Sequence, residues 1–144
     1  NSHFSKIQIK EFSILFIMIN YPQVVLKKAE DISKIIFLSE KNESLKKIII
    51  SSLLEGDNRE KIQSKISNDF KKLIAEIQEN SSIQIIAKVK NDEAISDLLS
   101  ELLIELDELN NLKKIESLEK ELINNLDENS YSELIKLKSQ VNRE

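Results

Sequence analysis

Residues 92–126, DEAISDLLSELLIELDELNNLKKIESLEKELINNL, read as one long helix that changes its apolar side halfway along. With Ile95 at zero and an advance of about 100° per residue, Leu98, Leu99, Leu102, Leu106 and Leu109 fall within roughly 60° of zero. Ile115, Leu118, Leu122 and Leu126 fall near the opposite side. Spacing causes the switch. Ile95 to Leu109 alternates steps of four and three, whereas Leu109, Leu112, Ile115 and Leu118 step by three, and each such step turns the stripe by about 60°. A helix with two apolar sides needs two packing partners. The first half is expected in a compact body and the second in a hairpin with a following helix, which suits an adaptor better than an enzyme.

Working outward, Asn91 or Asp92 caps the long helix, and Asn110 and Asn111, poor interior helix formers, mark the one place where it could break. It can stop at Asn124 and Asn125, because Asn tolerates the left-handed conformation. Ser130 and Glu133 then have capping-box spacing, with Asp127 a competing cap one turn earlier. The last helix presents Tyr131, Leu134, Ile135, Leu137 and Val141. A two-helix hairpin is marginal alone, so it must dock on the body or on a partner.

Ahead of this region, a helix from about Lys6 to Asn20 carries Ile7, Phe12, Leu15, Phe16 and Ile19. Pro22 ends it and opens a short helix to about Lys28. Ile32, Ile35, Ile36 and Leu38 read as another short helix, since a lone apolar run has no partner strand here. Leu45, Ile48, Ile49 and Leu53 mark the next helix, which Gly56 closes as a left-handed cap. Asp57 faces Glu60 across a capping-box spacing before Ile62 and Ile66. Asp69 is placed to cap a helix bearing Leu73, Ile74 and Ile77, and Ser81 and Ser82 lead into the apolar segment 83–89. The fold class is all-α: a multi-helix bundle body over residues 1–109, then the long helix leading into a C-terminal helical hairpin over 110–144.

Composition agrees. Among 144 residues there is one glycine, one proline and no cysteine, which favours helices joined by Asn, Asp and Ser turns and excludes disulfides and thiolate chemistry. The longest strongly apolar segment, Phe12 to Ile19, is far below the roughly 20 residues needed to span a bilayer. It reads as a buried core helix, with no membrane role and the cytoplasm as the default compartment. The chain starts at Asn1 and not at Met, which suggests a piece of a longer protein. Residues 1–90 carry fifteen Lys or Arg against eleven Asp or Glu, and residues 91–144 six against fourteen. That balance discourages nucleic acid along the second part and suits a protein surface.

No catalytic constellation emerges. A bundle di-metal site needs inward Glu-x-x-His pairs, and the only histidine is His3. One glycine excludes a phosphate-cradling loop, and Ser-His-Asp chemistry lacks its base. Asp97, Glu101, Glu105 and Glu108 recur at helical spacing opposite the leucine face, as a solvated surface does. Ser13 reads as a packing residue. The lysines at 27, 28, 46, 47, 71 and 72 lack interleaved aromatics, so nucleic-acid contact would be weak or indirect.

The order of these features resembles the C-terminal, helicase-binding domain of bacterial replicative primases of the DnaG type. Carrying the resemblance are Glu11-Phe-Ser-Ile-Leu-Phe-Ile-Met-Ile-Asn-Tyr-Pro22-Gln, an acidic residue and an apolar helix ending at a proline, and Leu126-Asp-Glu-Asn-Ser-Tyr-Ser-Glu133-Leu-Ile-Lys-Leu-Lys-Ser-Gln-Val141 after a long helix and an Asn-rich turn. The resemblance covers nearly the whole chain. It implies a helical body with a protruding hairpin that docks on the N-terminal domains of the hexameric replicative helicase, placing the protein in the bacterial cytoplasm at the replication fork. It further implies a parent primase whose zinc-binding and magnesium-dependent RNA-polymerising parts precede this region, with no cofactor here. Leu126, Asp127, Glu128, Tyr131, Leu134, Ile135 and Lys138, on or beside the tip and last helix, are the expected partner-binding residues. The helicase N-terminal domain shares the fold and is the nearest alternative. A self-associating scaffold built on the Ile95 to Leu109 heptad is another.

Overall fold

The structure is a computed structural model and describes residues 2–124 and 128–141, the side chains of 2–4 and 81 excepted. Among these residues the chain forms nine helices and no strand: α1 (Ser2–Asn20), α2 (Pro22–Leu26), α3 (Ala29–Lys34), α4 (Glu40–Leu54), α5 (Arg59–Ile66), α6 (Lys71–Glu79), α7 (Ser81–Ile86), α8 (Asp92–Asn124) and α9 (Glu128–Val141). None is long and apolar enough to cross a membrane.

The body is built around α1. From Glu11 to Ile19 every side chain except that of Phe16 is buried, and α1 touches α2, α4, α5, α6, α7 and α8. This explains why its apolar residues wrap the whole helix instead of forming a stripe. Ile14, Leu15, Ile17 and Met18 are fully enclosed, each stabilising the fold by about 1.5–3 kcal/mol through area removed from water. At the helix end the Tyr21 hydroxyl donates to Val89 O at 3.1 Å, fixing the corner before Pro22 against the segment that follows α7.

Caps set several element boundaries. Ser39 Oγ accepts from Asn42 N at the start of α4, and Gly56 closes the same helix at φ +86 as a left-handed cap. Asn91 Oδ1 accepts from Glu93 N and Ala94 N and so starts α8. Three expected caps are otherwise. Asn58, not Asp57, caps α5 by accepting from Lys61 N; the Asp57 carboxylate is taken instead by Ser52 Oγ and Lys65 Nζ. Phe70 occupies the cap of α6 without a side-chain bond, so Asp69 does not cap it. Because α9 begins at Glu128, Ser130 lies inside the helix and its hydroxyl donates to Glu121 Oε2 at 3.3 Å.

One expected helix is shorter. α3 stops at Lys34, and Ile35 is extended at φ −93, ψ 122. The segment 35–38 leaves the helix because buried charged side chains capture its backbone, as described below.

α8 runs unbroken through Asn110 and Asn111. Ile95, Leu99, Leu102, Leu103 and Leu106 are buried in the body core, with Leu98 and Leu109 packed against it, while Ile115 is buried outside that core, as is Leu134 of α9. The burial therefore changes side along the helix as the spacing requires. Lys138 Nζ reaches Glu119 Oε1 at 3.5 Å, and Ser130 reaches Glu121, so α9 runs back antiparallel along α8.

Candidate docking surface

On α9, residues spaced by three and four divide into an inner and an outer side. Leu134 is 6 % exposed and faces inward, with Leu137 and Val141 partly buried on the same side. Tyr131 and Ile135 remain 56 % and 51 % exposed. Glu128 and Lys138 flank them on the same outer side, Lys138 held by its ion pair to Glu119. Four of the expected partner-binding residues, Glu128, Tyr131, Ile135 and Lys138, thus share one exposed strip. Leu134 lies beneath it and holds the hairpin together. Leu126 and Asp127 lie outside the described residues.

The expected set lacked Ile123, which is the most exposed large apolar side chain of the described residues at 83 %. The sequence carried a signal for it: Ile123 belongs to neither apolar side of α8. Ile123 on α8 and Tyr131 and Ile135 on α9 together leave the hairpin with exposed apolar side chains that water does not favour.

A second feature lies where hairpin meets body. An open groove of about 580 Å³ is lined by Ile35, Ile36 and Leu38 on one side, by α8 from Asp107 to Leu118 on the other, and by Glu133 of α9. Such a volume admits a few side chains. Its lip, Ile36 and Leu38, is 70 % and 44 % exposed, on a segment whose apolar run reads from sequence as a short helix. In its α8 wall, Asn110 Oδ1 is buried and accepts no hydrogen bond among the described residues.

The lip is positioned by a buried polar cluster. Leu38 N donates to Glu11 Oε2 at 2.7 Å, Phe37 N donates to Glu43 Oε1 at 2.9 Å, and Lys46 Nζ donates to Ile35 O. Asn42 Nδ2 donates to Glu11 Oε1 at 2.8 Å. Lys46, 1 % exposed, also pairs with Glu43 Oε1 at 2.8 Å and lies 5.0 Å above the Phe37 ring. A non-helical segment packed against a core must find such partners for its amides and carbonyls. Burial pushes the Glu11 carboxyl up from its ordinary pKa, against the lowering effect of the hydrogen bonds from Asn42 and Leu38. Asp57, by contrast, is drawn down to about 2, first by the bond from Lys65 and then by that from Ser52.

These groups do structural work. Ser13 Oγ donates to Ile9 O at 2.8 Å and is spent on its own helix. Among the described residues no group of three or more His, Cys, Asp or Glu is placed to hold a metal ion. What the arrangement offers is contact surface: an apolar strip on the hairpin and an apolar groove at its base. No protein-family model matches the chain, and no curated protein or solved structure matches it.

Proposed function

We propose that this chain is a protein-docking domain, and more specifically the helicase-interaction domain of a bacterial primase, which tethers primer synthesis to the hexameric replicative helicase. One observation carries the docking reading. α8 is buried in the body core through Leu106 and then, without a break, enters a hairpin whose only buried apolar side chains among the described residues are Ile115 and Leu134. A rigid rod thus presents Ile123, Tyr131 and Ile135 to solvent at a defined distance from the body. Exposed aromatic and branched side chains on a helical strip suit insertion against a partner's helices. The identity of that partner rests on the resemblance of the α1–Pro22 segment and of the last helix to the primase family. On this reading the protein acts in the cytoplasm at the replication fork, and the primer-synthesising chemistry, with its zinc and magnesium, belongs to other parts of the parent.

The test is capture of the N-terminal domains of a bacterial hexameric replicative helicase by this chain. Variants would be Tyr131→Asp with Ile135→Asp, and a chain ending before residue 127. Both should lose capture, the double variant while keeping native thermal stability. Undiminished capture by the double variant would sink the hairpin as anchor, and capture by neither variant nor the parent chain would sink the helicase as partner. Sedimentation of the chain alone separates the scaffold alternative, which requires a stable dimer at micromolar concentration.

A further inference from the structure

We propose that residues 35–38 are a proton-linked lip of the groove: the lip closes tightly over Glu11 when that carboxyl carries a proton, and opens more readily when it is ionised. The inference does not depend on which partner the hairpin binds.

Glu11 sits in the middle of α1 at 1 % exposure, and its described hydrogen-bond donors are neutral: the Leu38 and Ser39 amides and the Asn42 side chain. Lys46, on α4, is bound to Glu43 and to Ile35 O. The other charged neighbour on α4 is Glu43 itself, whose negative charge opposes a second anion nearby. On α1 the adjacent Lys10 points to α8, where it pairs with Glu105 at 3.0 Å. A carboxylate held among neutral donors, beside a like charge and away from water, is an unfavourable occupant.

A proton relieves this by removing the buried charge, while the carboxyl's other oxygen still accepts from Leu38 N. Opening the lip relieves the same strain differently, by letting water reach the carboxylate. Burial raises the Glu11 pKa in the closed form. Linkage then requires that protonation favour closure and ionisation favour opening. What moves is functional surface, because the lip carries Ile36 and Leu38 into the groove against α8.

The experiment is amide hydrogen exchange by NMR on the whole chain between pH 7.5 and 4, corrected for intrinsic exchange, together with direct titration of the Glu11 carboxyl carbon. Protection of the Leu38 amide, relative to that of Ile49 inside α4, should rise by about threefold or more as Glu11 takes up its proton. Glu11→Gln, which carries a neutral side chain with a donor, should show the high protection at every pH. Glu43→Gln should keep the pH dependence. Leu38 protection that is flat or falls through the Glu11 titration overturns the proposal, as does pH dependence that survives in Glu11→Gln. The wild-type titration decides the matter even if a variant folds poorly.

Discussion

Leu134→Ala should separate the hairpin from the body. Leu134 is 6 % exposed and, with Ile115, is one of the two buried apolar side chains of the hairpin among the described residues. Truncating a buried leucine costs about 2–5 kcal/mol, and the lower end applies where neighbours can collapse into the gap. A two-helix layer is such a place, so about 2–3 kcal/mol is expected. Little remains to resist it: Leu118, Leu122, Leu137 and Val141 are only partly buried, and the half-exposed pair of Lys138 with Glu119 contributes about 0–1 kcal/mol. A loss of 2 kcal/mol shifts the docking equilibrium of α9 by about 30-fold. Hydrogen exchange should therefore show lost protection across the 14 residues of α9, with circular dichroism losing the matching helix signal. Amides of Ile14 and Leu99 should keep their protection. Leu99→Ala, a fully buried core site, should instead lower protection throughout. If Leu134→Ala weakened the body as much as Leu99→Ala does, hairpin and body would be one cooperative unit, and the two-partner account of α8 would fail.

Other outcomes follow from individual groups. Asp57 is drawn from 3.8 to about 2 on folding, so its contribution to stability is present above pH 3.8 and is lost as the pH falls toward 2. Urea midpoints measured across that range should fall more steeply for the parent than for Asp57→Asn. Lys46→Met leaves Ile35 O without its donor and Glu43 with only the exposed Lys47 at 3.9 Å, and should cost about 2–3 kcal/mol by urea denaturation at pH 7, discounted because Glu43 keeps some access to water. Gly56→Ala meets no atom within 4 Å, yet must adopt φ +86, and should lower stability by about 1–2 kcal/mol in a thermal melt, from backbone strain alone.

The pattern of leucines and isoleucines in α8 foretold both the helix and its change of side, because packing on two faces leaves its mark at helical spacing whatever the partners are. Gly56 and Asn91 were equally legible, since a left-handed cap and an Asx cap are local chemistry. The errors lay where local signals compete. Asp57 with Glu60 has the spacing of a capping box, but Lys65 and Ser52, brought close only by the turn at Gly56, claim its carboxylate. Ile35 to Leu38 read as part of a short helix. The deciding partners are Glu11, Glu43 and Lys46, of which Glu11 lies on a different helix, 27 residues before Leu38. Of the candidate strip, the position of Tyr131 and Ile135 on the last helix could be read directly, and Ile123 stands off both apolar sides of α8, but the inward turn of Leu134 could not be read.

By itself, then, the sequence determined an all-helical chain, its long shared helix and the side of that helix turned to each neighbour. These follow from periodicity and from glycine, proline and asparagine acting within a few residues. Tertiary structure alone decided which apolar side chains stay exposed and which polar ones are buried. Exposure depends on what packs across from a residue, and a carboxylate such as Glu11 becomes a buried anchor only once an α4 amide and the lip's backbone close around it.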